Sequence, residues 1–158
     1  MSTVLQIYEA IDRLAPFFLS MDFDNTGILV GDRQKKVERA LLALDCTKEV
    51  LRQAKELGAQ LIITHHPIIF HPIKRVNEDS LVYHLLRSDI AVISAHTNLD
   101  IAQGGVNDLL AKRIGLSDCR GLQPMDAQGT FFLGRVGSLP EGMETQQFAQ
   151  YLKQRLGA

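Results

Sequence analysis

Two adjacent histidines, His65 and His66, and a second stretch reading His96-Thr97-Asn98-Leu99-Asp100 are the residues of this sequence best suited to chemistry. Neutral imidazole is a common transition-metal ligand, and a carboxylate can give one oxygen to each of two ions about 3.5–4 Å apart. In an extended segment neighbouring side chains point to opposite sides. His65 and His66 are therefore expected to be poorly placed to chelate one ion, and better placed to hold two ions or to line two sides of a cleft. Asp100 then bridges the two ions. A competing expectation has both histidines bonded to loop backbone with no metal. His96 is either a ligand or an orienting contact to Asp100 or to a substrate. This donor set suits Zn, Fe, Mn or Ni alike. All five histidines lie between positions 65 and 96. Of the other two, His71 reads as a loop residue between Phe70 and Pro72. His84 reads as a packing residue among Leu81, Val82, Leu85 and Leu86.

The elements that must position these residues can be read from hydrophobic spacing. Val4, Ile7, Tyr8, Ile11 and Leu14 recur at three and four behind a Ser2 or Thr3 cap, which predicts a first helix ended by Pro16. Apolar runs at Gly27 to Gly31, Arg39 to Asp45, Gln60 to Thr64 and Ile90 to Ser94 predict strands. A helix capped by Thr47 and ended at Gly58, a helix over Ser80 to Ser88, and one over Gly104 to Ile114 closed by Gly115 separate or follow them. Alternation of this kind predicts an α/β fold, a mostly parallel sheet with helices on both faces. Ligands of such sheets gather beyond the carboxyl ends of the strands. Asp45, the segment from Thr64 to Pro67 and the segment from Ala95 to Asp100 are placed there together. Ser117 to Gly129 reads as a polar loop, Phe131 to Val136 as a strand and Thr145 to Leu156 as a helix. The Gly104-Gly105 pair opening a helix is a weak candidate for an anion site.

Composition narrows the function classes. The chain has 158 residues, 17 Lys+Arg against 18 Asp+Glu and a net charge of −1. No broad positive field is available for nucleic acid or an anionic membrane, so neither is an expected partner. Cys46 and Cys119 are too far apart in sequence to read as a metal knuckle, and are expected to be free thiols. No basic and apolar leader is evident at the N-terminus and no apolar run is long enough to span a bilayer, which points to the cytoplasm.

Four blocks carry a resemblance: Phe23-Asp24-Asn25-Thr26-Gly27-Ile28-Leu29-Val30-Gly31, Leu61-Ile62-Ile63-Thr64-His65-His66-Pro67, His96-Thr97-Asn98-Leu99-Asp100, and Gly104-Gly105-Val106-Asn107-Asp108. In order and spacing the chain resembles the NIF-three-like family, whose members are often named GTP cyclohydrolase I type 2 homologues. The resemblance implies that fold, a homo-oligomer in the form of a toroidal hexamer, and two divalent metal ions. It implies His65 and His66 as ligands of one ion each, Asp100 as a ligand of one or both, and Asp24 and Asn25 lining the cleft. The family completes its centre with a later His-x-x-x-Glu pair, and here no histidine follows His96. The chain thus resembles either an N-terminal portion or a variant whose site is open, with residues 1–129 as the domain bearing the metal-site loops and 130–158 opening the next segment. Three protein ligands for two ions imply weak metal binding. The implied function is a binuclear metal-dependent hydrolase acting on a nucleotide-like or phosphorylated small molecule. The alternative is a non-catalytic, homo-oligomeric metal-binding regulatory or interaction protein.

Overall fold

The computed structural model describes residues 1–157 and divides into two compact units, Met1–Leu99 and the segment from Asp100 onward. The first unit opens with β1 (Ser2–Thr3) and α1 (Val4–Leu14). Thr3 caps α1: its hydroxyl accepts the Gln6 N–H, and the Gln6 side chain accepts the Thr3 N–H in return. Then follow β2 (Gly27–Val30), β3 (Lys36–Val37), β4 (Ala40–Ala43), α2 (Lys48–Glu56), β5 (Leu61–Thr64), α3 (Leu81–Arg87) and β6 (Ala91–Ser94). Thr47 caps α2 by accepting the Val50 N–H at 3.2 Å, and Gly58 follows the helix at φ +62°, as the spacing predicted. The short helix α4 (Thr97–Ile101) leads out of the unit.

The four-stranded sheet has the order β2-β6-β5-β4. Strands β4, β5 and β6 are parallel, in register as Ala40 with Leu61 and Leu61 with Ala91. Strand β2 runs antiparallel to β6, pairing Gly27 with Ser94. This reversal matters for the site. The parallel strands deliver the residues that follow them to one edge, whereas β2 delivers the residues that precede it. Asp24 and Asn25 therefore reach the same edge as His65, His66 and His96. The reversed strand also lies close to its neighbour: a Cβ on Gly31, at φ +98°, would stand 2.7 Å from the Ala91 Cα.

One face of the sheet packs Val30, Ile62 and Val92 under Leu51 and Ala54 of α2 and Leu85 of α3. Full burial of one such leucine stabilises by about 1.5–3 kcal/mol. The other face packs Leu61, Ala91 and Ile93 under Val4, Ile7, Tyr8 and Ile11 of α1. The sheet is thus covered on both sides at β5 and β6. At edge strand β4 the cover fails: Leu42, in register with Ile63, is 74% exposed. Leu86, expected to face inward, is exposed as well, because the packed stripe of α3 is Leu81, Val82 and Leu85.

The second unit continues with α5 (Val106–Ile114), β7 (Ser117–Pro124), β8 (Phe132–Ser138) and α6 (Thr145–Leu156). Gly115 ends α5 in the left-handed region at φ +86°. The last helix has the bounds that its spacing predicts. Ser117 to Pro124, read from sequence as part of a loop, is instead a strand paired antiparallel with β8. Its side chains are nearly all exposed, so no apolar alternation marked it. Partnership with β8 defines this strand, and pairing between segments is not written in local composition. Gly121 makes the pairing possible, since any Cβ there would overlap the Phe132 ring.

Candidate metal centre

The strand ends are fixed before any imidazole is considered. The hydroxyl of buried Thr64 donates to the His66 carbonyl at 2.8 Å, and that of buried Ser94 donates to the His65 carbonyl at 2.8 Å. The His66 N–H donates to the Leu44 carbonyl at 3.0 Å, which ties the loop after β5 to the end of β4. His65 and His66 therefore lie in a bend beyond Thr64 rather than in the pleat.

That bend corrects the expectation of divergent rings. The rings of His65 and His66 are 5.1 Å apart, and His96 stands 5.0 Å and 5.6 Å from them. One nitrogen of each of the three rings lies within 4.8 Å of the others, a group that could hold a metal ion. The period-two argument applies to a pleated strand, and the strand ends one residue too early for it.

Each ring is oriented through Nδ1. His65 Nδ1 lies 3.0 Å from the Ala95 carbonyl, His66 Nδ1 lies 2.8 Å from Asp45 Oδ1, and His96 Nδ1 lies 2.9 Å from Asp24 Oδ1. Carbonyl and carboxylate oxygens only accept, so each of these contacts calls for the proton on Nδ1, and in a neutral imidazole so bonded the lone pair is on Nε2. This is the arrangement by which carboxylates and carbonyls set the tautomer of metal-binding histidines.

Asp24 is the most heavily bonded of these acceptors. Its side chain has no exposed surface. It accepts from His96 Nδ1, from the Asn25 N–H at 2.8 Å, from the Thr97 N–H at 3.1 Å and from the Thr97 hydroxyl at 2.5 Å. Burial pushes its pKa up, but the bonds from Thr97, His96 and Asn25 together outweigh burial and hold the carboxyl below its ordinary value. Asn98, fully buried, pins the same turn: its Oδ1 accepts the His96 N–H at 2.9 Å and its Nδ2 donates to the Ala15 carbonyl at 2.7 Å. Asn25 donates from Nδ2 to the Ile69 carbonyl at 2.6 Å, tying the segment before β2 to the loop after β5.

The remaining candidates fall as follows. Asp100 stands one turn along α4 from Thr97 and opens the second unit. His71 is exposed against the edge of Phe70, and half-buried His84 lies beside Tyr83. Burial pushes the Cys46 thiol up to about 11, which leaves it protonated at neutral pH. The Gly104 N–H, part of the weak candidate anion site, is bonded at 2.6 Å to the chain's own Asp108 carboxylate. Asp45 was visible in the sequence only as a polar strand end, and Thr64, Ser94 and Thr97 only as ordinary polar residues. The spatial order of the strands gives them their roles. No helix among the described residues is long and apolar enough to cross a membrane.

With this geometry in hand, comparison with known proteins is informative. A curated relative from Clostridium perfringens (strain 13 / Type A), named GTP cyclohydrolase 1 type 2 homolog, is 40% identical over 159 residues, covering 96% of this chain and 59% of the relative. The crystal structure of Staphylococcus aureus hypothetical protein SA1388 superposes with a TM-score of 0.87 at 28% identity, covering 98% of this chain and 64% of that one. A Bacillus cereus protein related to NIF3 superposes with a TM-score of 0.75 at 40% identity, covering 79% of this chain and 35% of that one. The chain therefore spans less than two thirds of each of these proteins. The sequence profile of Duf34/NIF3 (NGG1p interacting factor 3) matches residues 2–158. Profile, relatives and fold agree, and the chain belongs to the Duf34/NIF3 family.

Proposed function

We propose that the chain carries the divalent-metal site of a hydrolase acting on a nucleotide-like or phosphorylated small molecule. One observation supports this above all: three imidazoles, each with Nδ1 bonded to an acceptor, gather their ligand atoms into a single group. Neutral imidazole nitrogens suit borderline first-row ions such as Zn, Fe, Mn or Ni. In the two-ion form of the proposal, His65 and His66 would each hold one ion. Bound ions supply Lewis-acid polarisation of a substrate oxygen and lower the pKa of water.

The chain's own residues do the positioning. Asp24 holds His96, Asp45 holds His66 and the Ala95 carbonyl holds His65, which fixes the ring orientations. Asn25 secures the loop that borders them. Self-association belongs to the same proposal: Leu42 and Leu44 at the edge of the sheet, with Leu14 and Phe18 at the end of α1, are all exposed, as residues of a subunit interface are in a lone chain.

The test is metal content followed by turnover. After dialysis against Zn, Fe, Mn or Ni, the chain is expected to retain at least one ion per protomer by elemental analysis, and His65→Ala with His66→Ala is expected to abolish retention. A nucleotide and phosphoester panel is then expected to show hydrolysis that the same pair of substitutions removes. Absence of stoichiometric metal contradicts the site. Stoichiometric metal without turnover contradicts the hydrolase and leaves a metal-binding regulatory protein.

A further inference from the structure

Beside the histidine group the first unit displays two aromatic rings to solvent. Phe23 is 64% exposed and Phe70 is 41% exposed, and their rings lie 6.5 Å apart with a 58° tilt. Single exposed phenylalanines need no explanation, but a pair in contact does, since each could bury more area by packing inward. Both are anchored to the site. Phe23 immediately precedes Asp24, whose carboxylate orients His96. Phe70 immediately follows Ile69, whose carbonyl accepts the Asn25 amide at 2.6 Å. The two backbone segments that carry the rings are thus tied to each other and to the histidine group. The edge of His71 against Phe70, 5.0 Å between centroids, adds to the aromatic surface.

We infer that Phe23 and Phe70 form a binding subsite for a planar aromatic heterocycle, such as a purine or pterin, whose polar end reaches the histidine group. The inference rests on the proposed substrate site and deepens it. A flat ring laid on one phenyl face meets the tilted edge of the other, the arrangement aromatic groups favour at centroid separations of about 4.5–7 Å. An aliphatic ligand buries apolar area there but gains none of this edge-to-face preference. Base-on-aromatic stacking is also tolerant of base identity, so this subsite selects a class of ring, not one base.

The probe is 2-aminopurine riboside, whose fluorescence is quenched on stacking and is easily read because the chain contains no tryptophan. It is titrated into the chain with and without Zn2+, with guanosine and ribose 5-phosphate as competitors. Guanosine is expected to displace the probe and ribose 5-phosphate is not. Phe23→Ala and Phe70→Ala are each expected to weaken binding at least about fivefold. Phe23→Leu and Phe70→Leu keep the apolar surface and the fold, and are expected to weaken it nearly as much. Zinc affinity, measured separately against a chromophoric chelator, reports on the metal site alone. Its failure with ring binding intact defeats the metal reading and leaves the subsite, and the converse defeats only the subsite. Probe affinity unchanged in the alanine variants, full retention in the leucine variants, or a fall in oligomeric mass with no loss of ring binding would each overturn the inference.

Discussion

Asp24–His96 and Asp45–His66 join the same functional groups at nearly the same length, 2.9 and 2.8 Å. Their surroundings differ. The Asp24 carboxylate is wholly buried against a His96 side chain that is 20% exposed, whereas Asp45 and His66 are 54% and 45% exposed. A buried carboxylate must have its lone pairs satisfied, and Asp24 accepts four hydrogen bonds from three residues. An exposed one is solvated with or without its partner, and its attraction is screened. The same contact is therefore structural and orienting on one side of the site, and orienting alone on the other.

The sharpest way to break this comparison is to remove each carboxylate. Asp24→Ala strands the Thr97 and Asn25 N–H groups and frees the His96 ring. It is expected to destabilise by about 2–4 kcal/mol in chemical denaturation, and to lower zinc affinity as well. A loss under about 1 kcal/mol would mean that water replaces the carboxylate and that the two pairs are alike. Next in size, Asn98→Ala removes a fully buried side chain bonded to Ala15 and His96, with an expected cost of about 2–3 kcal/mol. It sharpens the comparison by showing how much of the rigidity of His96 comes from backbone pinning. Asp45→Ala is expected to change stability by less than about 0.5 kcal/mol while lowering zinc affinity about tenfold, with Asp45→Asn intermediate because its amide oxygen still accepts. Equal stability losses for Asp24→Ala and Asp45→Ala would contradict the distinction.

The smallest expected effect lies in the second unit, where an ion pair whose Arg135 and Asp108 side chains are 10% and 34% exposed supplies a reference without histidine. The Arg135 guanidinium, with the Gly104 N–H, holds the Asp108 carboxyl below its ordinary value of 3.8 against the opposing effect of burial. A carboxyl with a depressed folded pKa stabilises fully above its unfolded value and loses that contribution as pH falls through the folded one. The difference in melting temperature between the parent chain and Asp108→Asn should thus be a few degrees at pH 7, and should shrink on acidification below pH 3.8. A difference that grows on acidification would reverse the sign.

Much of this was legible in the sequence, and for identifiable reasons. Periodicity located α1, α2, α3, α5 and α6 because each has an apolar stripe, and in all but α3 a capping side chain or a terminal glycine marks an end. The apolar runs located β4, β5 and β6, and the rule that ligands gather at strand ends drew His65, His66 and His96 together. The direction of β2 was not legible, since a short apolar run between glycines carries no sign of which way it pairs. From residue types alone, Asp24 had no visible connection to His96, 72 positions away, and it entered only through the family resemblance. The ring geometry was misjudged because two residues beyond the last strand position were treated as if still pleated. Strand β7 was missed because its polar residues are held by a partner and not by a core.

The proposed metal site requires His65, His66 and His96, whose nitrogens gather within 4.8 Å, to bind through Nε2 while their acceptors hold the proton on Nδ1. Long-range 1H–15N correlation spectra of the histidine side chains, recorded at neutral pH with and without one equivalent of Zn2+, test it most directly. The expected result is the Nδ1-protonated tautomer for His65, His66 and His96 before addition, and a zinc-induced shift of Nε2 in those three rings with His71 and His84 unchanged. Protonation on Nε2 in the free chain, or an unmoved set of Nε2 resonances on adding zinc, would contradict it.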